Sequence, residues 1–257
     1  MVTNNLPRVI AIANHKGGVG KTTTAINIAA GLANLKKRVL LIDLDPQANL
    51  TQSLRLTDHE FTVYGSLKGE YPLRPIEAVK GVHVITSTLD LSGAEIELSA
   101  EAGREYLLRE LLEPIKRMYH YVIIDTAPSL GLLTINALTA SDEIIIPMQA
   151  EYLALQGLSK LIEVVNKIRR RLNKDLTLTG VLITQYDGRR ILNRDVVATI
   201  ENHFRNEMFA TKIRDNVALA EAPAEGLDIF RYSEKSYGAE DYEDLCKEII
   251  MRTKYHA

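Results

Sequence analysis

Apolar runs separated by amphipathic stretches recur along the chain. Arg8–Asn14, Arg38–Asp43, Val82–Thr86, Tyr121–Asp125, Glu143–Met148, Leu176–Thr184 and Phe209–Ile213 read as strands. Between them, apolar positions three and four apart predict helices over Thr22–Leu35, Gly103–Met118, Gly131–Ala140, Leu153–Leu172, Arg194–Asn206 and Ala239–Thr253. Near-continuous apolar strands alternating with helices are the pattern of a mostly parallel sheet covered on both faces, so the expected fold is α/β and doubly wound. The less regular stretch Leu54–Pro75 reads as connecting segments with one short helix. No repeat, low-complexity tract or linker rich in Pro, Gly or Ser interrupts the alternation, and a single domain over residues 1–257 is expected. Right-handed crossovers would bring the loops after the strands to one edge, where ligands of such sheets bind.

The first of those loops carries the most specific chemistry. Lys16-Gly17-Gly18-Val19-Gly20-Lys21-Thr22-Thr23 lies between the strand Val9–Ala13 and a helix, the order strand, phosphate loop, helix. Three glycines let the backbone curl around an anion, so that N–H groups and the positive end of the helix can point at phosphate oxygens. Lys21 supplies a charge for the β- and γ-phosphates, and the Thr22 hydroxyl is a ligand for Mg²⁺. His15 holds the position of the general pattern's first glycine, and a second lysine, Lys16, follows it. A cation at position 16 is poorly aimed at its own nucleotide when Lys21 already covers the phosphates. Reaching a nucleotide in a facing subunit is one role open to it, which would tie hydrolysis to dimerisation; a solvated lysine is the other.

Two strands expected on the same edge end in acids. Arg38–Ile42 leads into Asp43-Leu44-Asp45-Pro46-Gln47-Ala48-Asn49, and Tyr121–Ile124 leads into Asp125-Thr126-Ala127-Pro128-Ser129. A carboxylate after a buried strand beside a phosphate loop suits the metal site, which makes Asp125 a candidate. Asp43 and Asp45 alternate along an extended segment, so one should face the metal and the other the γ-phosphate, with Asp45 orienting the attacking water. An acid at a strand end also serves as a helix cap or turn residue.

These three segments together resemble the ParA family of deviant Walker A ATPases, relatives of MinD among the phosphate-loop NTPases. Lys16 stands at the family's signature lysine, Asp43–Asn49 fits its D-x-D-P-Q-[AG]-N segment and Asp125–Ser129 its D-[TC]-[AP]-P-S segment. Further matches at Tyr186–Arg189, Leu219–Pro223 and Tyr237–Glu240 extend the resemblance over nearly the whole chain. Starting almost at the phosphate loop, the chain resembles the short form without a helix-turn-helix domain, for which operator binding is not expected. The resemblance implies ATP and Mg²⁺ as cofactors, Lys16–Thr23 around the nucleotide and Thr22, Asp43 and Asp125 at the metal. It further implies an ATP-sandwich homodimer in which Lys16 contacts the other subunit's nucleotide and Asp45 positions the water. Non-specific binding of double-stranded DNA by that dimer, slow hydrolysis stimulated by a ParB-type partner, and a place on the nucleoid in the cytoplasm complete the picture.

One segment departs from the family pattern. Its frequent I-P-R-N-V-R-L reads here Ile213-Arg214-Asp215-Asn216-Val217-Ala218-Leu219, so two arginine positions linked to DNA contact are Asp215 and Ala218. Remaining candidates for DNA contact are Arg189, Arg190 and Arg194, the stripe Lys167, Arg170, Arg171 and Lys174 at helical spacing, and Arg214 in the place of the proline. A solvated helix face complementing the helix C-terminus is the alternative for the stripe.

Composition narrows the competing classes. Lys and Arg number 31 against 33 Asp and Glu, a formal charge of −2, so DNA binding must come from a local patch. One cysteine, Cys246, excludes an internal disulfide and the thiolate sets of an iron–sulfur carrier, and the six histidines lack zinc-ligand spacing. No apolar run approaches the ~20 residues of a spanning helix. A MinD-like membrane-associated ATPase is the nearest alternative, but the final helix sets Leu245, Ile249 and Ile250 against Glu240, Asp241, Glu243, Asp244 and Glu248, an acidic face where an anionic lipid surface favours Lys and Arg.

Overall fold

The computed structural model describes residues 6–151, 154–204 and 207–253. Seven strands, β1 (Arg8–Ile12), β2 (Val39–Leu44), β3 (Ile76–Val79), β4 (Val82–Ile85), β5 (Tyr121–Thr126), β6 (Glu143–Gln149) and β7 (Thr177–Thr184), form one sheet in the order β3-β4-β2-β5-β1-β6-β7. All neighbours are parallel except the edge pair β3 and β4. The expected doubly wound α/β fold is present. Strands β2 and β5 are buried at every position, as required of strands covered on both faces.

Eleven α-helices are described: α1 (Lys21–Asn34), α2 (Asn49–Ser53), α3 (Val63–Leu67), α4 (Leu91–Glu97), α5 (Leu107–Leu112), α6 (Leu132–Ala140), α7 (Ala154–Arg171), α8 (Ile191–Phe204), α9 (Val217–Glu221), α10 (Ile229–Tyr232) and α11 (Tyr237–Thr253). Alternation along β1 divides the core. Val9 and Ala11 face a layer built from α3 to α8, while Ile10 and Ile12 face α1, α10 and α11. Leu245, Cys246 and Ile249 of α11 are fully buried in that second layer.

Two expected elements differ in the structure. Gly103–Met118 is not one helix: Gly103 has φ +71°, Pro114 removes a backbone donor, and only α5 and a 3₁₀ turn at Lys116–Met118 remain. Phe209–Ile213 is not a strand. Phe209 N and Ile213 N donate to β7 carbonyls at 3.0 and 2.8 Å, but Ala210 N and Thr211 N turn to the Glu248 carboxylate of α11 at 2.9 and 3.0 Å. The hairpin partner β3 and the helix α4 were not expected. Leu153 and Asn206, at the predicted ends of two helices, lie outside the described residues.

Candidate nucleotide site

The phosphate loop is fastened from below by side chains of three strands. Asn14, just after β1, donates through Nδ2 to Pro147 O at 2.7 Å and accepts Lys16 N at 3.1 Å. Gln149 and Gln185 each donate to Gly18 O at 3.1 Å, and Thr184 Oγ1 donates to Val19 O at 2.9 Å. Gly18 and Gly20 have φ of +74° and +82°, conformations that a side chain would strain. Lys21 is buried, and its Nζ folds back to donate to Lys16 O at 3.0 Å. Burial lowers its pKa against the raising pull of Asp125 and Asp45.

A cleft of about 470 Å³ opens over this loop. Gly17, Gly18, Gly20, Lys21, Thr22, Thr23 and Asp45 line its polar end, and Leu219, Pro223, Leu227 and Ile26 supply apolar walls. The arrangement suits a ligand with several phosphates at one end and a flat base at the other. Asn27 ties the two ends, since Nδ2 donates to Thr23 O and Oδ1 accepts Ile229 N, each at 2.8 Å.

Register brings the acids together: Asp43 of β2 lies beside Asp125 of β5. Thr22 Oγ1 donates to Asp125 Oδ2 at 2.7 Å, while Asp125 Oδ1, fully buried, has no partner among the described residues. Burial first, then the nearby Asp43, holds the Asp125 carboxyl well above the ordinary carboxylate range. A hydroxyl and an orphaned carboxylate oxygen form a hard donor set that fits Mg²⁺. Asp43 differs from expectation. Its Oδ2 accepts Thr51 N at 2.9 Å and Thr51 Oγ1 at 2.7 Å, and its Oδ1 accepts Asp45 N at 3.2 Å. Burial nevertheless raises it to about 6. Those bonds make Asp43 an anchor for α2 and for the backbone of Asp45.

Asp45 itself reaches the cleft, with Oδ1 accepting Gln47 N at 2.9 Å and its carbonyl accepting Ser87 Oγ at 3.0 Å. Thr51, Ser87, Gln149 and Gln185 support the site without having been singled out in the sequence. Lys16 points the other way: its Nζ is 2.5 Å from Glu151 Oε2, with both side chains about half exposed. His15 is pressed on Gly157 of α7, where an added Cβ would stand 2.0 Å from its Cε1.

The cations proposed for DNA do not form one patch. Arg189 and Arg190, beyond β7, both pair with Asp187, at 2.9 and 3.3 Å, and Arg194 is exposed in the first turn of α8. Lys167, Arg170 and Arg171 are exposed in the last turns of α7, while Lys174 lies past the helix end. Lys167, Arg170 and Lys174 border a surface hollow of about 600 Å³ with Arg169. Arg214 is not a free cation. Its Nε donates to Asp241 Oδ1 at 2.9 Å, its Nη2 to Asp241 and Glu240 at 2.6 Å, and its guanidinium lies 4.2 Å from the Tyr237 ring centroid.

The chain is similar to known proteins over most of its length. The sequence model of a family described as an AAA domain matches residues 7–178. The sporulation initiation inhibitor protein Soj of Bacillus subtilis is 48% identical over 247 residues, covering 94% of this chain and 98% of the relative. The chromosome partitioning protein ParA of Myxococcus xanthus is 43% identical over 251 residues, covering 95% and 88%. A solved structure of cobyrinic acid a,c-diamide synthase from Mycobacterium smegmatis, with bound ADP and magnesium, superposes with a TM-score of 0.87 at 34% identity, covering 98% of this chain and 97% of that one.

Proposed function

The chain belongs to the ParA family of phosphate-loop ATPases, and from that premise we propose that it is a partition ATPase whose ATP-bound form is a DNA-binding dimer. The triphosphate lies along Gly17–Thr23 with Lys21 at its β- and γ-phosphates, and the base rests against Leu219, Pro223 and Leu227. Thr22 and Asp125 hold Mg²⁺, which neutralises charge on the phosphates. Asp43 keeps Asp45 in place, and Asp45 orients the attacking water at the γ-phosphate.

The observation that carries the dimer is the outward course of Lys16. Lys21 occupies the phosphate pocket, so Lys16 is available to a second nucleotide once it leaves Glu151, an exposed pair worth no more than about 1 kcal/mol. Two chains facing each other across two ATP molecules would exchange these lysines, and hydrolysis would remove the charge that joins them. DNA affinity then follows nucleotide state, with contacts from Arg189, Arg190 and Arg194, from the α7 cations, or from both. A ParB-type protein accelerates the slow turnover, and the cytoplasmic nucleoid is the surface on which the cycle moves a cargo. The membrane-associated alternative is less well supported, because the apolar stripe of α11 is buried against α1 and the sheet, and no helix among the described residues is long and apolar enough to cross a membrane.

Sedimentation with ATP, ADP or neither, with and without random-sequence DNA, tests the reading. Wild type should double its mass with ATP and co-sediment with DNA only then. Lys16→Ala should bind ATP and remain single, and a variant that still doubled would remove the cross-subunit role. Asp45→Ala should stay paired with ATP while turnover falls by at least tenfold; unchanged turnover would take Asp45 out of the mechanism.

A further inference from the structure

Helix α4 leaves β4 at the nucleotide edge and turns Leu91, Ala94 and Leu98 into the core. Ile96 on its outer face and Leu89 in the turn just before it are 79% and 65% exposed. Ser92 N donates to Leu89 O at 3.0 Å and Gly93 N to Asp90 O at 2.9 Å, the three-residue bonds of a turn that leads into the helix. One three-residue turn followed by about one α-helical turn brings Leu89 and Ile96 to the same side, in one ridge. The same spacing puts Asp90 and Glu97 along one side of it, with Glu95 on the other and Glu101 beyond the end. Nearby cations are fewer: Lys68, 3.0 Å from Glu70 and 3.8 Å from Glu97, and Arg104, paired with Glu105 at 3.2 Å.

An apolar ridge framed by carboxylates complements an amphipathic helix whose polar positions are Lys and Arg. Its charge repels nucleic-acid phosphate and anionic lipid. The position also matters, because the segment from Ser87 into α4 touches the Asp45 loop at one end and the start of α6 at the other. Ser87, two residues before Leu89, donates to Asp45 O, and its own N–H reaches Thr51 Oγ1 at 2.9 Å, the hydroxyl that binds Asp43. At the other end, Glu95 Oε1 is 3.5 Å from Leu133 N, at the start of α6 just after the Asp125 loop. It crowds Gly131 so closely that a Cβ there would lie 2.0 Å from Oε1. We infer that the Leu89–Ile96 face of α4 is the docking surface for a basic amphipathic segment of a protein partner. This rests on the reading of the chain as a partner-stimulated ATPase. A helix seated there would press on Ser87 and Glu95 together, and so on the Asp45 loop and the start of α6.

The probe is a labelled 18-residue peptide of leucine and lysine in helical order, with a leucine–glutamate peptide as control, titrated into the ATP-loaded full chain. Wild type should bind the lysine peptide and not the glutamate one, with slowed hydrogen exchange across residues 87–101 and at Leu133. Ile96→Lys, and separately Leu89→Lys, should weaken binding at least tenfold and abolish that protection. Both side chains are exposed, so either variant can report if the other fails to fold. Absence of binding, or equal binding by wild type and both variants, overturns the proposal. Loss of ATP-dependent mass doubling in Ile96→Lys without peptide also overturns it, since the face would then join two copies of this chain. Mass doubling and turnover of wild type without peptide are read in the same series. Failure of the partition reading shows in wild type there, whereas failure of the docking surface shows in the peptide arms or in the Ile96→Lys variant while wild type still doubles.

Discussion

At Asp125 a carboxyl with no exposed surface lies one strand from a second buried carboxyl, Asp43. Both have folded-state pKa values above the ordinary 3.8, so the folded chain keeps protons that the unfolded chain releases. Their contribution to stability is complete below about pH 4 and is lost as pH rises through about 6 for Asp43 and further for Asp125. Asp43 alone accounts for about 3 kcal/mol of that loss at neutral pH. Asp125→Asn removes the buried charge and still offers an oxygen to Thr22. In nucleotide-free protein its melting temperature should therefore exceed that of wild type, by a margin that grows from pH 5 to pH 8, while ATP affinity in Mg²⁺ falls at least tenfold. Calorimetry across that range checks the sign; a constant margin would mean that Asp125 is already ionised in the folded chain. Lys21, Thr22 and Asp125 were legible in the sequence because the loop spacing and the strand ends fix where they go. Thr51 and Ser87 were not, since a hydroxyl eight residues after Asp43 has no meaning until α2 folds back onto it.

Among the elements, α11 shows how one helix replaces a strand and absorbs a cation. Glu248 takes the amides of Ala210 and Thr211, which is why an alternating segment that reads as a strand makes only scattered bonds to β7. Asp241 holds Arg214, including its backbone N–H at 2.8 Å, a bond that the family's proline could not make. Arg214→Ala would leave Asp241, 6% exposed, short of its partner. The expected loss is about 1–2 kcal/mol, or several degrees of melting temperature, after discounting for the exposed side of the guanidinium. Affinity for DNA should stay within twofold of wild type, and a larger drop in a binding titration would restore Arg214 to the DNA surface. The long strands and helices were readable from periodicity. Edge strand β3 and helix α4, at four and seven residues, are too short for it, although Lys80-Gly81 between two apolar runs is the turn signal of the β3–β4 pair.

For the molecule as a whole, charge is divided between two ends. Arg189 and Arg190 stand at the edge where the strands finish, whereas α7 runs about 20 Å from its start before Lys167 is reached. Arg189 and Arg190 share Asp187, which they hold down at about 2, so each presents a partly neutralised charge. Lys167, Arg170 and Lys174 have no ion pair among the described residues. Replacing those three by Ala should reduce the slope of log affinity against log salt by about 2 to 3 if each meets a phosphate. Arg189→Ala with Arg190→Ala should change it by less than 1. A titration in which the α7 variant kept the wild-type slope would move DNA to the other end.

Neither flank of the sheet presents a long free edge among the described residues. Beyond β7 the amides of Phe209 and Ile213 already occupy its carbonyls, and on the opposite flank β3 is short and runs against its neighbour. Crowding many such molecules onto a small area, as a cargo-moving cycle would demand, therefore offers only the four-residue edge of β3 as a ladder for strand addition among the described residues. In the dimer proposed above, contacts between copies would fall at the loop-bearing rim, where a small molecule rather than local abundance would decide whether two of them hold together.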